Sequence, residues 1–143
     1  MTKKVKPTGG NGKKTFSTTA LQMALLHVFD MMDAAHIQFV VLGAVSKCLY
    51  DNNENLKADK IVIGVKEGEL SKYALSTIKS FYADEVKKED YGFSLSFENV
   101  PIHIKVLKKH FEFIERPDTR FVLAETLPIP NPFMDYWNRR MQI

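Results

Sequence analysis

Two acidic residues at i and i+2 of a strand point the same way and can grip one divalent cation. Along this chain only Glu67 and Glu69 meet that spacing, and Gly68 between them predicts a turn. The stretch TGGNGKKT resembles a phosphate-binding loop in composition alone: Pro7 stands where the first Gly belongs, Lys14 where the Ser or Thr belongs. No two histidines stand in His-x-x-x-His spacing, so no zinc site is predicted from His27, His36 or His110. Ser46 has no Gly two residues beyond it, which excludes a nucleophile elbow. Cys48 falls within a short helical pattern, where a small buried side chain is expected.

The elements that must position any site follow from periodicity. Leu21, Leu25, Val28, Met32 and Ala35 recur at helical spacing, and Thr19 with Gln22 matches a capping box, so a first helix is expected to Ala35. The run from Ile37 to Leu42 is apolar and β-rich, the pattern of a buried strand. Gly43 breaks it, and residues 44–51 read as a short helix before a polar loop at 51–55. Residues 57–65 alternate, with Ile61, Ile63 and Val65 on one face and Lys60, Val62 and Gly64 on the other. Residues 68–82 read as a helix and 83–90 as a charged, exposed segment. Phe93–Phe97 and Ile102–Val106 alternate around Glu98-Asn-Val-Pro101, a hairpin signature. Residues 111–120 are ambiguous, 122–127 fit helix or strand, and 128–132, with three prolines, must be extended. The expected fold class is α/β (α+β): a mixed sheet of about four strands with helices mainly on one face.

Composition narrows the class. With 143 residues the chain is expected to hold one domain, spanning 17–127, preceded by a Lys- and Gly-rich arm (1–16) and followed by a Pro-rich tail with a short amphipathic segment (128–143). Hydrophobic residues at 45% and charged residues at 26% describe an ordinary globule. The single cysteine excludes an intrachain disulfide, and no apolar run reaches membrane-spanning length. The basic N-terminus lacks a following apolar stretch, so a cytoplasmic protein without membrane contact is expected. A net charge of +3 is too small to imply nucleic acid by itself, but five lysines (Lys3, Lys4, Lys6, Lys13, Lys14) concentrate in the arm. Such an arm either contacts nucleic acid or serves solubility. In the tail, Phe133, Tyr136 and Trp137 beside Arg139 and Arg140 either dock on a protein partner or pack on the domain itself.

This order of elements resembles the nucleotidyltransferase superfamily in its minimal and antibiotic-modifying branches. Phe39-Val-Val-Leu-Gly43-Ala-Val-Ser46 looks like that family's Gly strand and following helix. Ala58-Asp-Lys-Ile-Val-Ile-Gly-Val65 looks like its Asp-x-Asp strand, and Ile102-His-Ile-Lys-Val106 like the strand of its third carboxylate. The resemblance covers roughly residues 20 to 107 and implies a fold in which paired carboxylates hold divalent metal against nucleotide phosphates.

At those positions this sequence departs from the pattern. With Ile61, Ile63 and Val65 in the core, the Asp-x-Asp positions fall on Lys60 and Val62, and the third on His103 or Lys105. No catalytic residue, metal or cofactor is therefore predicted. The residues implied for ligand binding are Gly43 and Ser46 at a helix N-terminus, with Lys60, His103 and Lys105, a set that attracts a phosphate directly. The alternative for Lys60, His103 and Lys105 is an ordinary solvated sheet face. The expected function is a catalytically inactive binding or regulatory module for a nucleotide, RNA or a protein. An active transferase with divergent metal ligands and a purely structural assembly protein are the other readings.

Overall fold

The computed structural model describes residues 15–51, 55–81, 86–109, 112–123 and 125–129. The arm through residue 14 and the aromatic segment from residue 130 lie outside them. Helix α1 (Thr18–Ala35) buries Leu21, Ala24, Leu25, Val28, Met31, Met32 and Ala35, the stripe that the helical spacing predicts. Its cap differs from the expected one. Ser17 is the N-cap, its hydroxyl accepting from Ala20 N–H at 3.1 Å, because the helix begins before Thr19. At the other end His36 adopts a left-handed conformation (φ 58°), and Ile37 N–H donates to the Met32 carbonyl, a Schellman-type stop. His36 thus ends a helix.

Strand β1 (Val40–Leu42) is shorter than the apolar run suggests; Ile37 and Phe39 are buried ahead of the pairing. Helix α2 (Gly43–Tyr50) follows without a linker. Strand β2 (Ile61–Lys66) leads through a turn at Gly68 (φ +94°) into α3 (Lys72–Ser80), which Ser71 caps through Ala74 N–H. The charged segment expected to be exposed contributes a short edge strand, β3 (Lys87–Glu89), whose lysines suit a sheet edge. Strands β4 (Gly92–Phe97) and β5 (Val100–Leu107) form the expected hairpin. Its turn is only Glu98-Asn99, both at positive φ, the geometry of a tight primed turn. A one-turn helix α4 (Glu112–Glu115) and a second hairpin, β6 (Asp118–Val122) with β7 (Glu125–Ile129), complete the described chain. Val122 and residues 125–127 therefore belong to strands.

The main sheet has five strands, one more than expected, in the order β1-β2-β5-β4-β3. Only β2 and β5 are parallel, and their ladder sets Ile61 beside Ile102 and Ile63 beside Ile104. These residues face α1, α2 and α3 in one core, which also takes Val45, Leu49, Ala74 and Ile78 and, from the second hairpin, Val122, Leu127 and Ile129. Among the described residues no helix is long and apolar enough to cross a membrane.

One glycine bends the pattern. Gly92 has φ +151°, and a Cβ there would lie 2.1 Å from the Ile104 carbonyl oxygen. Tyr91 precedes it in the two-residue Asp90–Tyr91 turn, and its ring lies against His103, which pairs with Ser94. Substituting Gly92→Ala should destabilise the fold by about 2 kcal/mol or more, since backbone, not a flexible side chain, must move. Urea denaturation of the two proteins measures this directly.

Candidate functional site

The sheet face away from α1 and α3 carries the residues singled out by the sequence. Cross-strand register sets one row as Leu42, Val62, His103, Ser94 and Lys87. The next row is Val40, Gly64, Lys105, Gly92 and Glu89. The face changes character along these rows.

Its β1–β2 side is apolar. Val40, Leu42, Val62, Leu107 and Ile114 form a second buried cluster. Ile114 comes from α4, which Lys66 Nζ ties to the sheet through Glu115 Oε2 at 2.8 Å. Gly64 makes room for this packing: a Cβ there would meet methyls of Leu42 and Leu107 at 3.1 Å. The start of α2 rests on the same cluster. Gly43 has φ +71°, and a Cβ on it would stand 3.6 Å from a Val62 methyl. Val62 is only 3% exposed. Val62 and Gly64 are therefore buried on this face, Val62 in the cluster with Ile114 and Gly64 against Leu42 and Leu107.

The β5–β4 side is polar. Tyr91 Oη and His103 Nδ1 are hydrogen-bonded at 2.8 Å, and the two rings are parallel within 4° with centroids 5.2 Å apart. Ser94 Oγ donates to Glu89 Oε2 at 2.6 Å. Burial holds the His103 pKa below the ordinary histidine value; Lys60 adds to that, while Glu89 and Asp59 partly oppose it. Burial and the Glu89 carboxylate push the Tyr91 hydroxyl up. Either Tyr91 Oη–H or His103 Nδ1–H donates in this bond, according to the imidazole tautomer.

Of the five residues expected to bind ligand, Lys60 and His103 are electrostatically coupled, and Lys105 lies two residues from His103 on the same strand face. Gly43 is nearest Val62, in the apolar half. Ser46, at 2% exposure, offers almost no surface to a ligand. Sequence reasoning missed Tyr91, Ser94 and Glu89. The hairpin pattern placed Ser94 within reach of Ile102-His-Ile-Lys-Val106, but Tyr91 enters the face from the turn between β3 and β4, outside that pattern. A separate cavity of about 220 Å³, lined by Phe29, Ile37, Ile114 and Pro128 among others, touches none of the five.

No protein-family model matches this chain, and no curated protein matches it. Solved structures do. The antibiotic-resistance factor ANT(2'')-Ia, in complex with adenylyl-2''-tobramycin, superposes with a TM-score of 0.59 at 14% identity, over 86% of this chain and 78% of that one. Its solution structure gives 0.62 at 12% identity, over 88% and 78%. An antigenic nucleotidyltransferase-like protein from Paracoccidioides brasiliensis gives 0.60 at 14% identity, over 83% of this chain and 64% of that one. This chain has a nucleotidyltransferase-like fold. Mixed sheet, leading helix and parallel central pair follow that arrangement, and the resemblance seen in the sequence holds for the fold.

The divalent metal associated with this fold requires hard oxygen donors. Lys60, Val62, His103 and Lys105 do not provide them: two are cations and Val62 is sealed under Ile114. Among the described residues, no group of three or more His, Cys, Asp or Glu side chains is placed to hold a metal ion.

A proton NMR titration should find His103 protonating below the ordinary histidine range, and Lys60→Gln should move it upward by removing a nearby cation. His27 is lowered too, chiefly by burial. In both cases the unfolded chain binds protons more tightly than the folded one. Stability should therefore hold above pH 6.5 and fall as pH drops from there through the folded values, as thermal melts at stepped pH would record.

Proposed function

We propose that this nucleotidyltransferase-like domain is a pseudoenzyme that binds a phosphate-bearing ligand, foremost a nucleotide, through Lys60, His103 and Lys105, without transferring nucleotidyl groups. The observation that carries this reading is the composition of one sheet face. Where the fold's chemistry calls for carboxylates on two parallel strands, this chain carries Lys60 and Val62 on one and His103 and Lys105 on the other. Cations there reverse the local field. They repel a divalent metal and attract a phosphate directly, as charge-assisted donors. His103 adds a partly exposed imidazole between the two lysines. RNA is a natural extension of the same chemistry, because it presents the same phosphate group. The lysine-rich arm would then supply counterion release. A cytoplasmic setting, where nucleotides are abundant, suits this role.

Titration with ATP at low and moderate salt tests the reading. Binding should weaken as salt rises, and Lys60→Glu or Lys105→Glu should each lower affinity about tenfold or more, the scale of losing a charged hydrogen-bond partner. Incubation with labelled nucleoside triphosphates, Mg²⁺ or Mn²⁺ and candidate acceptors should give no covalent product. Stable incorporation that disappears on mutating Asp59 or Glu67 would overturn the reading. So would unchanged binding in both lysine variants.

A further inference from the structure

Between the two lysines and Glu89 the open face presents a pair of rings. Tyr91 and His103 are parallel within 4°, joined by the 2.8 Å hydrogen bond, and both are partly exposed. Tyr91 stands in the two-residue turn between β3 and β4, and Gly92, in a conformation closed to other residues by the Ile104 carbonyl, opens β4 directly after it. We infer that the Tyr91–His103 pair is a stacking seat for a nucleobase, so that the ligand of this face is a nucleotide and not a bare polyphosphate.

The inference rests on the anion-binding reading proposed above and adds the ligand's second half. Flat, polarisable rings held parallel offer a π-face to any base, and stacking of this kind tolerates base identity. The hydrogen bond fixes both rings in one orientation before the ligand arrives, which reduces the ordering cost of binding. Lys60 lies on the β2 side of His103; on the β3 side Lys87 stands beside Ser94 in the His103 row, and Glu89, bonded to Ser94, shares the row of Lys105. The lysines around the ring pair take the phosphates, and the Glu89 carboxylate accepts from an amino or hydroxyl group of the ligand.

The test compares ATP with inorganic tripolyphosphate by isothermal titration calorimetry, on the full chain without added metal, in wild type, Tyr91→Leu and Tyr91→Phe. Wild type should bind ATP about tenfold or more tightly than tripolyphosphate, within the range that a single base–aromatic stack contributes. Tyr91→Leu should abolish that preference and leave tripolyphosphate binding unchanged. Tyr91→Phe, which keeps a ring and loses the hydroxyl, should retain most of it. Thermal melts confirm that each variant folds; if Tyr91→Leu does not, ring-proton shifts of Tyr91 and His103 on adding AMP to the wild type decide the matter. Equal affinity of wild type for the two ligands, or an ATP preference that survives Tyr91→Leu, would overturn the stacking seat and leave anion binding intact. Binding of neither ligand would remove both.

Discussion

The parallel pairing of β2 with β5 is the constraint on which the rest depends. It sets Ile61 against Ile102 and Ile63 against Ile104, and burial of those four side chains under the helices fixes which face of both strands is inside. Because side chains alternate along a strand, that choice assigns the opposite face as well. Lys60, Val62 and Gly64 must then share a surface with His103 and Lys105. A slip of one residue would bury the charges and expose the isoleucines. The core thereby determines the site's membership, although no site residue belongs to the core.

That opposite face is not uniform, and its division follows from where α4 lands. Ile114 packs on Val40, Leu42, Val62 and Leu107, and the Lys66–Glu115 ion pair fastens the short helix there. An exposed ion pair of this kind contributes little by itself, typically well under about 1 kcal/mol. The apolar contact does most of the holding. The consequence is chemical. One half of this surface is covered by aliphatic side chains, and the other half displays lysine, histidine and tyrosine.

Local backbone chemistry matters at two further points. Gly92 lets β4 start hard against the Ile104 carbonyl. Gly64 leaves space in mid-strand for two leucine side chains. Both positions look like weaknesses in a strand when read alone, since glycine has no side chain to pack. In the structure each is a place where something else approaches too closely for a Cβ.

The sequence by itself determined the succession of elements, the first hairpin, the facing of Ile61, Ile63 and Val65, and the resemblance in fold. Each of these is written in a period of two or near 3.6 and needs only neighbours in the chain. It also placed Lys60, His103 and Lys105 on one face, because register follows from which residues are apolar. The tertiary structure alone decided the rest. The fifth strand is three charged residues, held by pairing to β4 and not by any apolar pattern of their own. The second hairpin is ambiguous until its apolar residues meet the core. Ser46, expected near a ligand, is buried instead. Val62 is buried in a cluster with Ile114, about fifty residues away in sequence. Tyr91 reaches His103, twelve residues on, from the turn between β3 and β4. None of these leaves a local signal, since each depends on contacts between segments distant in the chain.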